Sequence, residues 1–347
     1  MLLLRLSLVW LVCLPAVLAQ SASRPASQPA AAGAAIVAQL RNEAARLGPL
    51  VRTPLAQAFL AATAQLPVPD ARVVYQRHMS REHLSATAFA ALAPDSRPAF
   101  DRVSVTAERY YTTLYGSPLA YVRALELAAT AGCASVARQR VLDFGYGGIG
   151  HLRLLASLGA DAVGVDVDSF LAALYAQPGD QGEVPGPDPR GRVTLVHGRW
   201  PAEPAARAAV GGGFALILAK NTLKRGYIHP ERAADPRRLI ELGVRDAEFV
   251  AALFQALAPG GLLLIYNLSP AQNPPDQPFL PWADGRCPFA RELLEQAGFA
   301  VLRYDHEDTP AARAMARALH WDQGPQPMDL ERGLFAHVTL LRRPAGK

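Results

Sequence analysis

The chain has 347 residues, of which 50% are hydrophobic and 19% charged, as is usual for a globular protein able to bury a full core. Its formal net charge of +5 comes from a composition rich in Arg and poor in Lys. The sequence has no long run of basic residues and no basic stripe interleaved with aromatic residues. We therefore expect no nucleic-acid partner.

The first 19 residues predict a Sec-type signal peptide. Arg5 precedes an apolar run from Leu6 to Leu18, and Val17 and Ala19 occupy the −3 and −1 positions of a cleavage site. This segment is short for a membrane span, and an uncleaved anchor is the alternative interpretation. We expect an exported protein, periplasmic or secreted, with no stable membrane span after cleavage.

The composition after the signal peptide predicts three further regions. Residues 20–34 are rich in Ser, Ala and Pro and predict a disordered linker. Apolar residues at three- and four-residue spacing predict a helical cap over 35–132, and the remainder, 133–347, predicts one ligand-binding domain. Cys133 and Cys287 are too few for a disulfide scaffold or a metal cluster, so no metal is expected. Independent thiols are favoured over a single disulfide between them.

Short apolar strands alternate with helices after Gly132. Strands are predicted over 140–144, 162–167, 193–197, 214–219, 262–267, 300–304 and 334–341, and helices over 151–158, 170–176, 247–257 and 289–297. Such alternation is typical of a parallel sheet covered on both faces. We predict an α/β fold with a doubly wound, mostly parallel seven-stranded sheet. The last two strands suit an antiparallel addition at one edge.

The segment from Val141 to Gly150, VLDFGYGGIG, follows the first predicted strand of this sheet. Asp143 ends the strand, Gly145 permits a tight turn, and Gly147 lets the backbone approach a ligand because it has no Cβ. Asp166 ends the second strand, 23 residues after Asp143, where a carboxylate is placed to accept hydrogen bonds from a ribose diol. The pattern predicts a nucleotide-cofactor site.

The glycines alone also fit the fingerprint of dinucleotide-binding enzymes, so an NAD(P)-dependent oxidoreductase is one alternative. Three features favour S-adenosylmethionine (SAM) instead. Asp143 suits the ammonium of SAM better than a pyrophosphate, and the motif starts some 140 residues into the chain. Finally, the segment Leu257–Asn267 contains a Pro-Gly-Gly turn leading into an apolar strand.

With these motifs, the sequence from Val141 to Leu341 resembles the class I SAM-dependent methyltransferases. The resemblance implies SAM as cofactor and methyl transfer by in-line alignment, with proximity supplying most of the acceleration. It also implies cofactor-binding roles for residues around the methionine, ribose and adenine parts, namely Asp143, Gly145, Tyr146, Gly147, Asp166 and Val167. The third strand is followed by His197-Gly-Arg-Trp200 where the family often has an acid. The adenine contact is therefore open, with Trp200 either stacking on adenine or lying in the core.

Further candidates lie near the predicted cofactor. Tyr121 belongs to a tyrosine-rich segment that either closes the cofactor pocket or packs the cap on the core. Lys220 and Asn221 follow the fourth strand, where they either line the acceptor pocket or form a surface loop. His151 and His229 are candidates for a general base, since histidine titrates near neutrality.

The sequence does not identify the methyl acceptor, which is expected to be a small molecule or a protein. The export signal raises a second alternative, because SAM is made in the cytoplasm. In that interpretation the chain is a non-catalytic binding protein that retains the SAM fold.

Overall fold

A computed structural model describes residues 29–113, 116–186 and 188–346. The predicted signal peptide lies outside the described residues, as does most of the predicted linker. The linker prediction is wrong at its C-terminal end, where a helix begins at Pro29 and buries Ile36, Val37 and Leu40. These apolar residues recur at helical spacing, so the alanine-rich segment before them continues the same helix. Among the described residues, no helix is both long and apolar enough to cross a membrane.

The N-terminal region contains a small sheet as well as helices. Its elements are α1 (Pro29–Leu47), α2 (Pro54–Ala61), β1 (Arg72–Arg77), β2 (His83–Ser85), α3 (Ala86–Ala90), β3 (Phe100–Val105), α4 (Ala107–Tyr111) and α5 (Val122–Thr130). The three strands pair antiparallel in the order β2-β1-β3. The prediction of a helical cap is therefore wrong for residues 72–105, where these three strands lie between the helices. Val73, Val74 and Tyr75 are β-branched or aromatic and favour the strand, and the prolines before them end the helical run.

The remaining elements build the large sheet and its covering helices. They are β4 (Arg140–Phe144), α6 (Gly150–Ser157), β5 (Asp161–Asp166), α7 (Ser169–Leu174), β6 (Gly182–Val184), β7 (Gly191–His197), α8 (Pro204–Val210), β8 (Phe214–Lys220), α9 (Arg225–Ile228), α10 (Asp246–Ala256), β9 (Leu257–Ser269), α11 (Arg291–Gln296), β10 (Ala300–Glu307), α12 (Thr309–Ala318), α13 (Leu330–Gly333) and β11 (Phe335–Arg342). Short 3-10 turns lie at Gly48–Leu50, Ala62–Gln65, Pro94–Ala99, Pro118–Tyr121, Pro236–Arg238 and Pro281–Ala283.

The described residues form a sheet with the order β10-β11-β9-β8-β4-β5-β7-β6. Strands β7, β5, β4, β8 and β9 are parallel, and β11 inserts antiparallel between β9 and β10. The doubly wound, mostly parallel α/β fold is confirmed. The sheet has eight strands rather than seven, because the long loop after α7 adds β6 antiparallel to the edge strand β7.

Alternating side chains of the central strands enter two cores, one on each face of the sheet. Val141, Leu216 and Leu264 join the core that also contains α6, α12 and the N-terminal helices. Their neighbours Leu142 and Ile217 point to the opposite core, which α10 and α11 cover. Since the first core runs without a break from α1 to β11, the N-terminal region and the sheet pack as one hydrophobic unit. The chain order reverses between β4 and β8, which marks the carboxyl ends of these strands as the place for a ligand.

Candidate functional site

The loop after β4 carries two glycines whose backbone conformation favours glycine. Gly145 has φ +74° and Gly147 has φ +58°, both in the left-handed region. A Cβ on Gly145 would lie 2.4 Å from Oγ1 of Thr222, so this glycine is required by packing against the loop after β8. Among the residues that the structure describes, the nearest atoms to a Cβ on Gly147 would be those of Thr113, at 3.8 Å. Space therefore remains beside Gly147, as expected where a ligand meets the backbone.

Asp166, at the carboxyl end of β5, faces this glycine loop. Its carboxylate accepts hydrogen bonds from the backbone N–H groups of Gly147 (3.2 Å) and Asp168 (3.0 Å). Burial raises the pKa of Asp166, and the backbone N–H donors act in the opposite direction. A carboxylate offers about four acceptor positions. The positions that the backbone donors leave free suit hydroxyl groups of a ribose.

Asp143, at the carboxyl end of β4, is fully buried with two neighbouring side chains. Its Oδ2 accepts a hydrogen bond from the Tyr121 hydroxyl (2.7 Å) and lies 2.6 Å from Nε2 of His151. The Tyr121 and His151 rings stack with centroids 3.7 Å apart. Burial and the Asp143 carboxylate raise the pKa of Tyr121, so its hydroxyl remains the donor. Oδ1 of Asp143 is buried without a hydrogen-bond partner among the described residues.

Two buried lysines follow at the end of β8. Lys220 is 8% exposed, and its Nζ lies 5.3 Å from the centre of the Tyr121 ring. Lys224 is 2% exposed, and its Nζ donates to the carbonyl oxygens of Leu268 and Trp282. Burial lowers the pKa of both lysines, because each ammonium loses its hydration. The carboxyl ends of β4, β5 and β8 thus carry two acids and two lysines.

Asn221, the other residue predicted for the acceptor pocket, supports the neighbouring strand. Its Oδ1 accepts a hydrogen bond from the backbone N–H of Leu268 (2.7 Å), and its backbone has φ +62°. Its backbone N–H donates to the carbonyl of Tyr266 (3.1 Å). Asn221 is buried and fixes the loop that carries Lys220 and Lys224 beside β9.

The N-terminal region covers the glycine loop. The Arg109 guanidinium donates to the carbonyl of Thr112 and approaches the carbonyl of Gly147 at 3.5 Å. The same guanidinium lies 5.1 Å from the ring centre of Phe170, on α7. The segment between β3 and α5 therefore lies over the loop that the sequence predicts to hold the cofactor.

The other predicted residues lie in different environments. The side chain of Tyr146 is buried against Tyr175, so the glycine loop presents its backbone rather than its ring. Val167 is 59% exposed at the end of β5, and Trp200 packs edge-on against Phe144 and Phe249 in the core. His229 is exposed, with Nε2 2.8 Å from Oδ2 of Asp246 on α10.

Three features of the site can be compared with the chemical groups of SAM. The unpartnered Oδ1 of Asp143 is an acceptor suited to an ammonium, the open space beside Gly147 admits a ligand, and Asp166 has acceptor positions left for a diol. The residues present therefore fit SAM.

The described residues contain no group of three or more metal-ligating side chains. Cys133 and Cys287 are free thiols in the described part of the chain, and burial raises the pKa of both.

No protein-family model matches the sequence, and no curated protein matches it. Among solved structures, the chain is similar to phosphoethanolamine N-methyltransferase 2 of Haemonchus contortus in complex with SAM. The two are 13% identical, covering 83% of this chain and 74% of that one, with a TM-score of 0.40. A SAM-dependent methyltransferase of Methanosarcina mazei is 14% identical, covering 60% and 93% with a TM-score of 0.33. The cyclase SpnF is 16% identical, covering 65% and 81% with a TM-score of 0.37.

The chain has the fold of the class I SAM-dependent methyltransferases, as its strand order and antiparallel β11 show.

Sequence reasoning missed two features of the site. The pairing of His151 with Asp143 joins a strand end to the first turn of α6, which spacing alone does not reveal. The sequence analysis did not single out Lys224, although the scarcity of lysine in the chain is a visible signal.

Proposed function

We propose that this chain is a SAM-dependent methyltransferase whose acceptor is unidentified. The observation that carries the proposal is the pair of acids, Asp143 and Asp166, on either side of a glycine loop at the reversal of strand order. An acid at the end of β4, Asp143, disfavours the pyrophosphate of a dinucleotide and favours an ammonium. The site therefore supports SAM better than NAD(P).

Each residue of the site has a defined part in this proposal. Asp143 uses Oδ2 for Tyr121 and His151, and its Oδ1 is available for the cofactor's ammonium. Asp166 holds the ribose hydroxyls, and Gly147 allows the backbone to approach the cofactor. SAM supplies an activated methyl group when bound. The chain contributes orientation and proximity, which account for most of the rate in this chemistry.

His151 is assigned a positioning role rather than that of a base. Its side chain is fully buried, and Nε2 is engaged with Asp143. Because the His151 ring is buried against Asp143, it fixes the carboxylate that meets the cofactor and does not reach an acceptor. His229 is more than 40% exposed but is paired with Asp246 on α10, a helix that covers the sheet.

Isothermal titration calorimetry on the chain tests the proposal. SAM and S-adenosylhomocysteine (SAH) are titrated separately, and NADH and NADPH serve as the matched control ligands. We expect SAH to bind at least about tenfold more tightly than either nicotinamide, a difference of about 1.4 kcal/mol. Binding of a nicotinamide alone would support the oxidoreductase alternative instead. SAH binding without methyl transfer to any acceptor in an extract would support the non-catalytic alternative.

A further inference from the structure

Asp143 and Lys220 point to the same face of the large sheet, at the carboxyl ends of neighbouring strands. On β4, Asp143 lies two residues after Val141, which enters the core shared with the N-terminal region. On β8, Lys220 lies two residues after Leu218, which enters the same core. Residues two apart on a strand face the same way. Because Leu218 is the register partner of Asp143, Lys220 is the next side chain of β8 on that face.

Tyr121, from the N-terminal region, contacts both of these charged side chains. Its hydroxyl donates to Oδ2 of Asp143 (2.7 Å), and Nζ of Lys220 lies 5.3 Å from the centre of its ring. The Asp143 carboxylate favours the charged form of Lys220 and so acts against burial on the pKa of that lysine. In the described part of the chain, however, Lys220 forms no ion pair with Asp143. The two opposite charges are therefore close around one tyrosine without being paired with each other.

Both groups also have hydrogen-bonding capacity that the described residues do not use. Oδ1 of Asp143 is buried without a partner, and Nζ of Lys220 donates no hydrogen bond to any described residue. Asp143 is fully buried and Lys220 is 8% exposed. Polar groups in such surroundings are costly unless a ligand or an ordered water satisfies them. The pair therefore offers an acceptor for a cation and donors for an anion, side by side.

Two other cations near the glycine loop are already engaged. Lys224 donates to two backbone carbonyl groups. Arg109 donates to the carbonyl of Thr112 and lies against the ring of Phe170, on α7. Burial and the neighbouring Lys220 charge lower the pKa of Lys224 to about 7, whereas the pKa of Lys220 is lowered by burial only to about 8, with Asp143 acting against the burial. Lys220 is thus the cation of this group that keeps its charge at neutral pH and has donors available for a ligand.

We propose that Asp143 and Lys220 together recognise the amino-acid end of the cofactor, with its ammonium at Oδ1 of Asp143 and its carboxylate at Nζ of Lys220. The inference rests on the proposed function and adds a binding role for Lys220. A ligand that carries an ammonium and a carboxylate on one carbon satisfies both buried groups at once. A ligand without the carboxylate leaves the Lys220 ammonium without a partner. Lys220 therefore makes the site selective for SAM over decarboxylated SAM.

Calorimetry with three ligands tests this assignment on the full chain. SAH carries both charged groups, decarboxylated SAH retains only the ammonium, and methylthioadenosine has neither. We expect the native chain to bind SAH at least about tenfold more tightly than decarboxylated SAH, because only SAH pairs with Lys220. In Lys220→Met, the affinity for SAH should fall at least about tenfold, while the affinity for decarboxylated SAH should change less than about threefold. In Asp143→Asn, both of these ligands should be weakened, because both carry the ammonium.

Lys224→Met is the matched control, because it removes the neighbouring buried ammonium, which donates to backbone carbonyl groups. It should change the affinities for SAH and decarboxylated SAH by similar factors. Equal losses for these two ligands in Lys220→Met, or an unchanged affinity for SAH in that variant, would overturn the proposal. A native chain that binds SAH and decarboxylated SAH alike would also overturn it, and this comparison needs no substitution to fold. A native chain that binds none of the three ligands would instead remove the proposed function.

Discussion

Nε2 of His151 lies 2.6 Å from Oδ2 of Asp143, and both side chains are fully buried. The pair connects the end of β4 to the first turn of α6, on either side of the glycine loop. Tyr121 donates to the same oxygen from the N-terminal region. The carboxylate proposed to meet the cofactor is therefore fixed from two directions by groups that are themselves packed in the core.

Replacing His151 should destabilise the fold. His151→Ala leaves the buried carboxylate of Asp143 with one donor, and loss of one partner of a buried pair costs about 3 kcal/mol or more in free energy of unfolding. Urea denaturation measures the difference. His229→Ala is the matched control, because its pair with Asp246 is exposed and should contribute less than about 1 kcal/mol. Equal effects of the two substitutions would show that the buried pair is not stabilising.

Alanine at the two loop glycines should have different consequences. Gly145→Ala places a Cβ 2.4 Å from the Thr222 hydroxyl at a positive φ, so the free energy of unfolding should fall by at least about 2 kcal/mol. Gly147→Ala has the strain but not the clash, and its main effect should be weaker SAH binding. Thermal unfolding and calorimetry on both variants distinguish the two effects. A larger loss of stability in Gly147→Ala would contradict this account of the loop.

The buried carboxylate of Asp180 should anchor the N-terminal region to the sheet domain. It accepts hydrogen bonds from Arg72 of β1 (2.8 Å), from the Tyr110 hydroxyl (2.8 Å) and from the backbone N–H of Gln177 (2.9 Å). Asp180→Ala leaves a buried guanidinium unpaired and should lower the free energy of unfolding by about 3 kcal/mol in urea denaturation. Glu183→Ala, which removes an exposed partner of Arg190, should have almost no effect. Similar stabilities of the two variants would exclude Asp180 as an anchor.

The free energy of unfolding should depend on pH through the buried lysines. Burial lowers the pKa of Lys220 and Lys224 in the folded chain, while the unfolded value is about 10.4. Above the folded pKa and below the unfolded one, the unfolded chain binds more protons, so stability increases with pH. Relative to a Lys220→Met/Lys224→Met variant, the native chain should gain up to about 1.4 kcal/mol per pH unit from each lysine, starting at its folded pKa of about 7 for Lys224 and about 8 for Lys220 and ending near the unfolded value. Urea denaturation of both proteins at several pH values checks the slope, and a difference independent of pH would contradict it.

The sequence predicted the parallel strands well, because they are short apolar runs bounded by turn residues. The predicted strand 140–144 is the observed β4, and the helix before β9 was predicted within about one residue at each end. The small N-terminal sheet was missed, since β2 contributes only three residues and its continuation into α3 has helical spacing. Asp143 and Asp166 could be predicted because they end strands of a recognisable motif. The contacts of Asp143 with Tyr121 and His151 could not, since they depend on how α5 and α6 pack around β4.

The central claim, that this site holds SAM, is tested most directly by the ribose acid. Asp166→Ala and Asp161→Ala change the two ends of the same strand, and the control residue Asp161 pairs with Arg140 at the opposite edge of the sheet. SAH binding to both variants is measured by calorimetry, with circular dichroism to verify folding. The account predicts that Asp166→Ala weakens SAH binding at least about tenfold, while Asp161→Ala binds as the native chain does. Undiminished affinity in a folded Asp166→Ala variant would contradict it.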